Sequence, residues 1–255
     1  MENAVGAVGT APLLDLRDVS RRFGALHVVD RLNLQVAPGE ALGVIGPNGA
    51  GKTTLMNLIA GDIPVNSGQV VFDGCDVTDL PPQERCRAGI ARSYQVPHPF
   101  VGLTVFENVL VGAVFGADMS EKAARPHVVA VLERTGLIDR ADRLAGTLTL
   151  LDRKRLELAR ALASKPRLLL LDEIAGGLTD QEVRALLDTV REIRASGVTL
   201  IWIEHIVHAL LAVVDRLVAL DFGRKVTEGA PQAVMDDPAV REIYMGIDAA
   251  EEVVP

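Results

Sequence analysis

The stretch Gly46-Pro47-Asn48-Gly49-Ala50-Gly51-Lys52-Thr53 constrains this chain more than any other. The apolar run Ala41 to Ile45 precedes it and has the length of a buried strand. Thr54 to Ala60 follows as a helix, closed by Gly61. Strand, glycine loop and helix N-terminus stand in the order of the phosphate-binding pattern G-x-x-x-x-G-K-[ST]. The glycines let the backbone wrap closely, so that N–H groups point at phosphate oxygens. The helix start adds partial positive charge. In this pattern the loop from Gly46 to Thr54 is the cradle. Lys52 is suited to bridge the outer phosphates, and the Thr53 hydroxyl to ligate Mg²⁺. The competing reading, a glycine-rich turn that matches by chance, is set aside because every fixed position is present in the right context.

The 255 residues allow one large domain or two small ones, and 49% hydrophobic content suffices for a sizeable core. A net charge of −8 gives no sign of a nucleic-acid partner. Cys75 and Cys86 form no C-x-x-C motif, which suits a reduced, cytosolic compartment. No apolar run approaches the roughly 20 residues that span a bilayer. Residues 1–12 are expected to be a loose tail without the basic start of a signal peptide, and 249–255 a second tail. A role at a membrane therefore requires another chain to hold this one there.

Leu13 to Val19 and Leu32 to Val36 alternate as half-buried strands, and Gln69 to Gly74 reads as a third. These outer strands predict an antiparallel sheet. Asp79 to Glu84 starts a helix, and Gly89 to Gln95 returns to the sheet. Between Val96 and Pro166 the pattern becomes helical. Thr104 caps a helix from Val105, Pro126 starts a second that Gly136 closes, and Asp152 to Ala163 forms a third. Arg167 to Asp172, Val198 to Ile203 and Arg216 to Leu220 are further strands. Thr179-Asp180-Gln181-Glu182 opens a helix with a capping box, and Gly197 ends it. Strands alternating with helices make an α/β protein with a mostly parallel core sheet.

Leu168 to Leu171 are followed by Asp172 and Glu173, so two carboxylates stand at a strand's C-terminal end beside the loop. Asp172 is suited to hold the Mg²⁺ shell and Glu173 to polarise an attacking water. Acids at strand ends are often only caps, and the pairing with the loop decides for function. His205 ends the strand Leu200 to Glu204 and is placed to contact a γ-phosphate, although a lone His is more often structural. Gln95, followed by Pro97 and Pro99, is placed for a metal contact and a hinge.

The loop, Gln95, a helix beginning near Thr149, Asp172-Glu173 and His205 occur in the order found in ATP-binding-cassette (ABC) ATPases, which the chain resembles from Leu13 to about Met245. More narrowly, Val19 to Leu26, Ile90 to Gln95, Leu103 to Leu110, Arg155 to Leu162 and Ala175 to Leu178 resemble ATPase subunits of branched-chain amino acid importers. The resemblance implies a P-loop NTPase fold spanning 13–248, with an antiparallel β subdomain and a helical subdomain at 96–165. It implies ATP and Mg²⁺, and Phe23 stacked on adenine; spacing alone suits Phe23 to the core equally. Two such ATPases would sandwich two ATPs, each site completed by the partner's signature segment. The stretch after Gln95, with Pro97, Phe100 and Val101, would lie against a permease at the cytoplasmic face of the cell membrane. A substrate-binding protein would be an indirect partner.

The family's signature is Leu-Ser-Gly-Gly-Gln; here it reads Leu148-Thr149-Leu150-Leu151-Asp152. Thr149 keeps the hydroxyl, leucines replace both glycines, and an acid stands where phosphate of the partner's ATP would dock. Thr149 and Asp152 also fit a helix cap, and Arg153, Lys154 and Arg155 are near enough to offset the acid. Ile174 replaces a usual proline and Thr179 a usual Asp or Asn. Four functions follow: an importer ATPase for branched-chain amino acids, the same ATPase with urea, amide or carboxylate cargo, a soluble ABC ATPase outside transport, and a weakly hydrolysing partner in a heterodimer.

Overall fold

The computed structural model describes residues 11–243. Two long strands, β1 (Leu14–Phe23) and β2 (Leu26–Val36), precede β3 (Ala41–Ile45), α1 (Lys52–Ala60), β4 (Ser67–Phe72) and β5 (Cys75–Asp76). Then come α2 (Pro82–Ala88), β6 (Ile90–Ser93), α3 (Val105–Val111), α4 (Glu121–Arg134) and α5 (Leu150–Ala163). The remainder is β7 (Leu168–Asp172), α6 (Asp180–Ala195), β8 (Thr199–Ile203), α7 (Val207–Leu211), β9 (Arg216–Asp221), β10 (Arg224–Gly229) and α8 (Pro231–Asp236). This is an α/β fold. Among the described residues, one antiparallel sheet has the order β2-β1-β4-β5. A second has the order β10-β9-β3-β8-β7-β6 and is parallel except at its β10 edge.

The apolar runs of β3, β7 and β8 are continuous because both faces of their sheet are covered. Leu169, Leu171, Leu200 and Trp202 face one core with α5, α6 and the helices before them. Leu168, Leu170, Ile201 and Ile203 face the other, shared with α1 and the antiparallel sheet. Since side chains alternate along a strand, each run supplies both layers at once.

Helix starts follow side-chain chemistry. Thr104 and Thr179 each form a full capping box, with Glu107 and Glu182 respectively. Thr149 forms half of one: its hydroxyl accepts from the Asp152 amide at 3.2 Å. The second helix of the insert does not start at Pro126. Ser120 caps it, and Pro126 lies inside α4. Pro126 stands near the exposed N-terminal end, where the missing N–H leaves a carbonyl that water can reach. β10 gave no apolar signal because it is an edge strand with no buried residue.

Arg85 fixes the far end of α1. It is 1% exposed. Its Nη1 donates to the carbonyls of Leu58 (2.6 Å) and Ile59 (2.9 Å), Nη2 to Thr78 (2.7 Å) and Nε to Leu80 (3.0 Å). The first two are orphan carbonyls of the helix's last turn, where a cation also suits the dipole. Replacing Arg85 by Met leaves these acceptors bare, and we expect a loss of about 3 kcal/mol of stability. Urea denaturation measures it; a loss below about 1 kcal/mol would show that water takes over the carbonyls.

Candidate functional site

Backbone register assembles the site. Val44 pairs with Ile203, Ile203 with Asp172, and Leu171 with Ser93. The loop beginning at Gly46, the Asp172-Glu173 pair, the Glu204-His205 pair and the segment to Gln95 therefore leave the sheet at one level, along its C-terminal edge.

The glycine loop is pressed against its neighbours. Gly46 has φ 151° and Gly51 φ 96°. A Cβ at Gly46 would collide with the Leu220 carbonyl, and one at Gly51 with the Val28 carbonyl. Gly223, in the β9–β10 turn, donates its N–H to the Ala50 carbonyl at 3.1 Å. Pro47 is half-buried, Asn48 and Gly49 are exposed, and α1 begins at Lys52, with Thr53 exposed and Thr54 half-buried. Lys52 is buried and folds back, its Nζ donating to the carbonyls of Gly46 at 2.7 Å and Pro47 at 2.9 Å. Burial holds the Lys52 ammonium below its ordinary value, against the pull of Glu173 and Asp172. An ammonium held only by carbonyls has much to gain from a phosphate.

Asp172 is buried, and its two oxygens differ. Arg92 donates to Oδ2 at 2.7 Å, whereas Oδ1 is buried with no hydrogen-bond partner. A bare carboxylate oxygen beside the phosphate loop fits a metal or its water shell, so the residues present suit Mg²⁺. The same Arg92 donates to Asp62 at 2.8 Å and to Asn57, joining α1 to β7. Its guanidinium also lies 4.9 Å from the centre of the Tyr94 ring.

Glu173 sits at φ 49°, a left-handed conformation that costs a non-glycine residue on the order of 1 kcal/mol or more. His205 Nε2 lies 2.7 Å from its Oε1, and Gln95 donates to its Oε2. Side chains from two other strand ends thus converge on the Glu173 carboxylate. Its 15% exposure leaves an approach for water.

The structure places Phe23 at the open end of β1, 48% exposed, with the Arg21 guanidinium 4.6 Å from its ring centre. An aromatic face is therefore available there, and Phe23 is not in the core. The signature segment lies at the start of α5. Thr149 and Leu150 are exposed, and Leu151 packs on the core. Asp152 does not face outward. It is 5% exposed and paired with Arg140 at 2.8 Å. The repulsion anticipated from this acid is answered within the same chain.

The comparisons agree with this geometry. The profile of the ABC transporter family matches residues 29–176, and a profile described as branched-chain amino acid ATP-binding cassette transporter matches 224–250. The high-affinity branched-chain amino acid transport ATP-binding protein BraF of Pseudomonas aeruginosa is 33% identical over 92% of this chain and 98% of its own length. The corresponding LivG protein of Escherichia coli K12 is 32% identical with the same coverage. The chain belongs to the ABC transporter ATPase family. Among solved structures, the ADP conformation of an ATP-binding cassette of an ABC transporter superposes with a TM-score of 0.84 at 30% identity, covering 93% of this chain and 100% of that one. Like other members of the family, this protein binds nucleotide and is an ATPase.

Sequence reasoning passed over several residues of this cassette. Arg92 is a cation within a strand, but nothing in the sequence names Asp172 as its partner. Glu204 was visible beside His205 as a second polar residue at the strand end. Arg140, the partner of Asp152, lies in a helical turn with no motif.

Arg92 is the counter-charge to Asp172, whose side chain is 4% exposed. Arg92→Met should cost about 3–5 kcal/mol of stability, the usual penalty for stranding a buried charge. Arg92→Lys should recover part of it. Denaturation of the three proteins decides this, and equal stability would show that Asp172 finds another partner.

Proposed function

We propose that this protein is the ATP-hydrolysing subunit of a membrane importer whose cargo is a branched-chain amino acid. The convergence of Gln95 and His205 on Glu173, beside the Lys52 loop and Asp172, is the observation that carries the hydrolytic part. The relatives' names and the match at 224–250 support the cargo.

In this reading the loop from Gly46 to Thr54 wraps the phosphates, and Phe23 stacks on the adenine. Lys52 leaves the Gly46 and Pro47 carbonyls for the β- and γ-phosphates. Asp172, Thr53 and Gln95 would hold Mg²⁺, which neutralises phosphate charge. Glu173 orients the attacking water and draws its proton. The water oxygen bonds to the γ-phosphorus as the bond to ADP breaks. His205 holds the water or the γ-phosphate in place.

The ATPase is a peripheral protein at the cytoplasmic face of the membrane, bound to permease subunits and working as a homo- or heterodimer, with a substrate-binding protein as indirect partner. Among the described residues, no helix is long and apolar enough to cross a membrane. Phe100 is 45% and Val101 64% exposed in the segment after Gln95. A groove of about 380 Å³ between Tyr94, Val111, Phe115, Glu157, Arg160 and Ser164 lies next to it. These surfaces suit a short permease helix. The stretch 13–248 forms a single ATPase domain with a helical subdomain at 96–165; residues 244–248 lie outside the described residues.

The signature supports a second reading for one of the two ATP sites. Leu150, 44% exposed, stands where close backbone approach would be needed. In a heterodimer, the site completed by Thr149, Leu150, Leu151 and Asp152 would be the weaker one. Leu150→Gly with Leu151→Gly should then strengthen ATP-dependent dimerisation, read by sedimentation in a Glu173→Gln background. A tight dimer without these changes would contradict it.

Glu173→Gln tests the main reading. It keeps size and most hydrogen bonding but removes the charge, so MgATP affinity should stay within about twofold while hydrolysis falls about 100-fold or more. Normal turnover by this variant in the assembled transporter would overturn the assignment.

A further inference from the structure

Glu204 lies directly before His205, yet it faces the other way. It is 3% exposed. Its Oε1 accepts from the amide of Ala175 at 2.7 Å, and its Oε2 from the amide of His205 at 3.0 Å. The Ile206 amide also bonds to this carboxylate. Ala175 is two residues beyond Glu173 and is itself buried. One side chain therefore satisfies amides from two loops, the one leaving Glu173 and the one carrying His205. A second link runs in parallel, from the Glu173 amide to the Ile203 carbonyl at 2.9 Å.

The counter-charge comes from a third element. Lys154, on α5, is 5% exposed, and its Nζ donates to the Glu173 carbonyl at 3.4 Å. Both Glu204 and Glu173 attract it, while burial pulls its ammonium below the ordinary value. Burial likewise pushes the Glu204 carboxyl up, against the three amides that stabilise its charged form. Buried acids are costly unless their oxygens are used, and these are. Glu173 holds a left-handed backbone at φ 49°, and its own amide and carbonyl are tied to Ile203 and Lys154 beside the clamp.

We propose that Glu204 is a positioning residue for hydrolysis. Its carboxylate clamps the Glu173 and His205 loops at a fixed separation, and Lys154 ties that clamp to the helix that begins with the signature segment. The inference rests on the hydrolytic roles proposed for Glu173 and His205. It adds that their mutual placement is set by a third, buried acid. The requirement is for a carboxylate in particular. A glutamine offers one acceptor oxygen and an NH₂ group, and that group would face a backbone N–H instead of accepting from it.

The test uses the full chain with Glu204→Gln and, separately, Lys154→Met. Three readouts are taken: kcat and KM for ATP hydrolysis, MgATP affinity, and amide hydrogen exchange of peptides spanning residues 173–178 and 204–206. For Glu204→Gln we expect kcat to fall at least tenfold, affinity and KM to stay within about twofold, and exchange in both peptides to rise together. Lys154→Met leaves the amide bonds in place, so kcat should fall about threefold with the same unchanged affinity. If Glu204→Gln does not fold, Lys154→Met carries the test alone. Unchanged kcat in the folded variants, or kcat and affinity lost in parallel, would overturn the proposal. Raised exchange together with normal turnover by Glu173→Gln would instead remove the hydrolytic reading and leave the clamp standing.

Discussion

The register between β7 and β8 governs this molecule. Asp172 lies opposite Ile203. The next residue on one strand is Glu173, and the next two on the other are Glu204 and His205. A slip of one residue would turn Asp172 to the other face of the sheet and separate the Glu173 and His205 side chains. Burial prevents the slip. β7 and β8 are buried throughout, and each sends alternate side chains into two different cores. Exchanging the faces would misfit both cores together. The hydrophobic packing of strands far from solvent thus fixes the geometry of polar groups at their ends.

The second organising feature is the handling of charge. Lys52, Asp172, Glu204, Lys154, Asp152 and Arg85 are all buried. Each has a defined answer: carbonyls for Lys52, Lys154 and Arg85, Arg92 for Asp172, Arg140 for Asp152, and backbone amides for Glu204. Such groups are expensive to bury and costly to strand. Three of them, Lys52, Asp172 and Glu204, lie in the glycine loop or directly beside Glu173 or His205, and two of these keep capacity in reserve. Lys52 holds only neutral acceptors, and Asp172 Oδ1 holds none. A site built to receive phosphate charge and a cation would show these two imbalances.

Much of this was legible in the sequence because it rests on local rules. The loop between β3 and α1 announces itself through glycine spacing, the threonine caps through their partners three residues on, and the central strands through unbroken apolar runs. What was not legible depends on contacts between distant segments. The pairing of Arg92 with Asp172 spans eighty positions. The burial of Asp152 depends on Arg140 in a helical turn, so the sequence showed a repulsive acid where the fold shows a neutralised one. β10 buries no residue fully, and its half-buried positions, Lys225, Thr227 and Gly229, are not apolar, so the strand left no hydrophobic trace. Pro126 marked a helix but not its first residue, because an exposed early turn tolerates the missing N–H.

A crystal structure of the full chain with Mg²⁺ and a non-hydrolysable ATP analogue tests the central claim most directly. The account predicts the analogue's phosphates within the loop from Gly46 to Thr54, with Lys52 Nζ moved from the Gly46 and Pro47 carbonyls onto phosphate oxygens. It predicts the cation within one water of Asp172 Oδ1, and Glu173 facing the γ-phosphate. Phosphates bound elsewhere, or Lys52 still bonded to the loop carbonyls with nucleotide present, would contradict it.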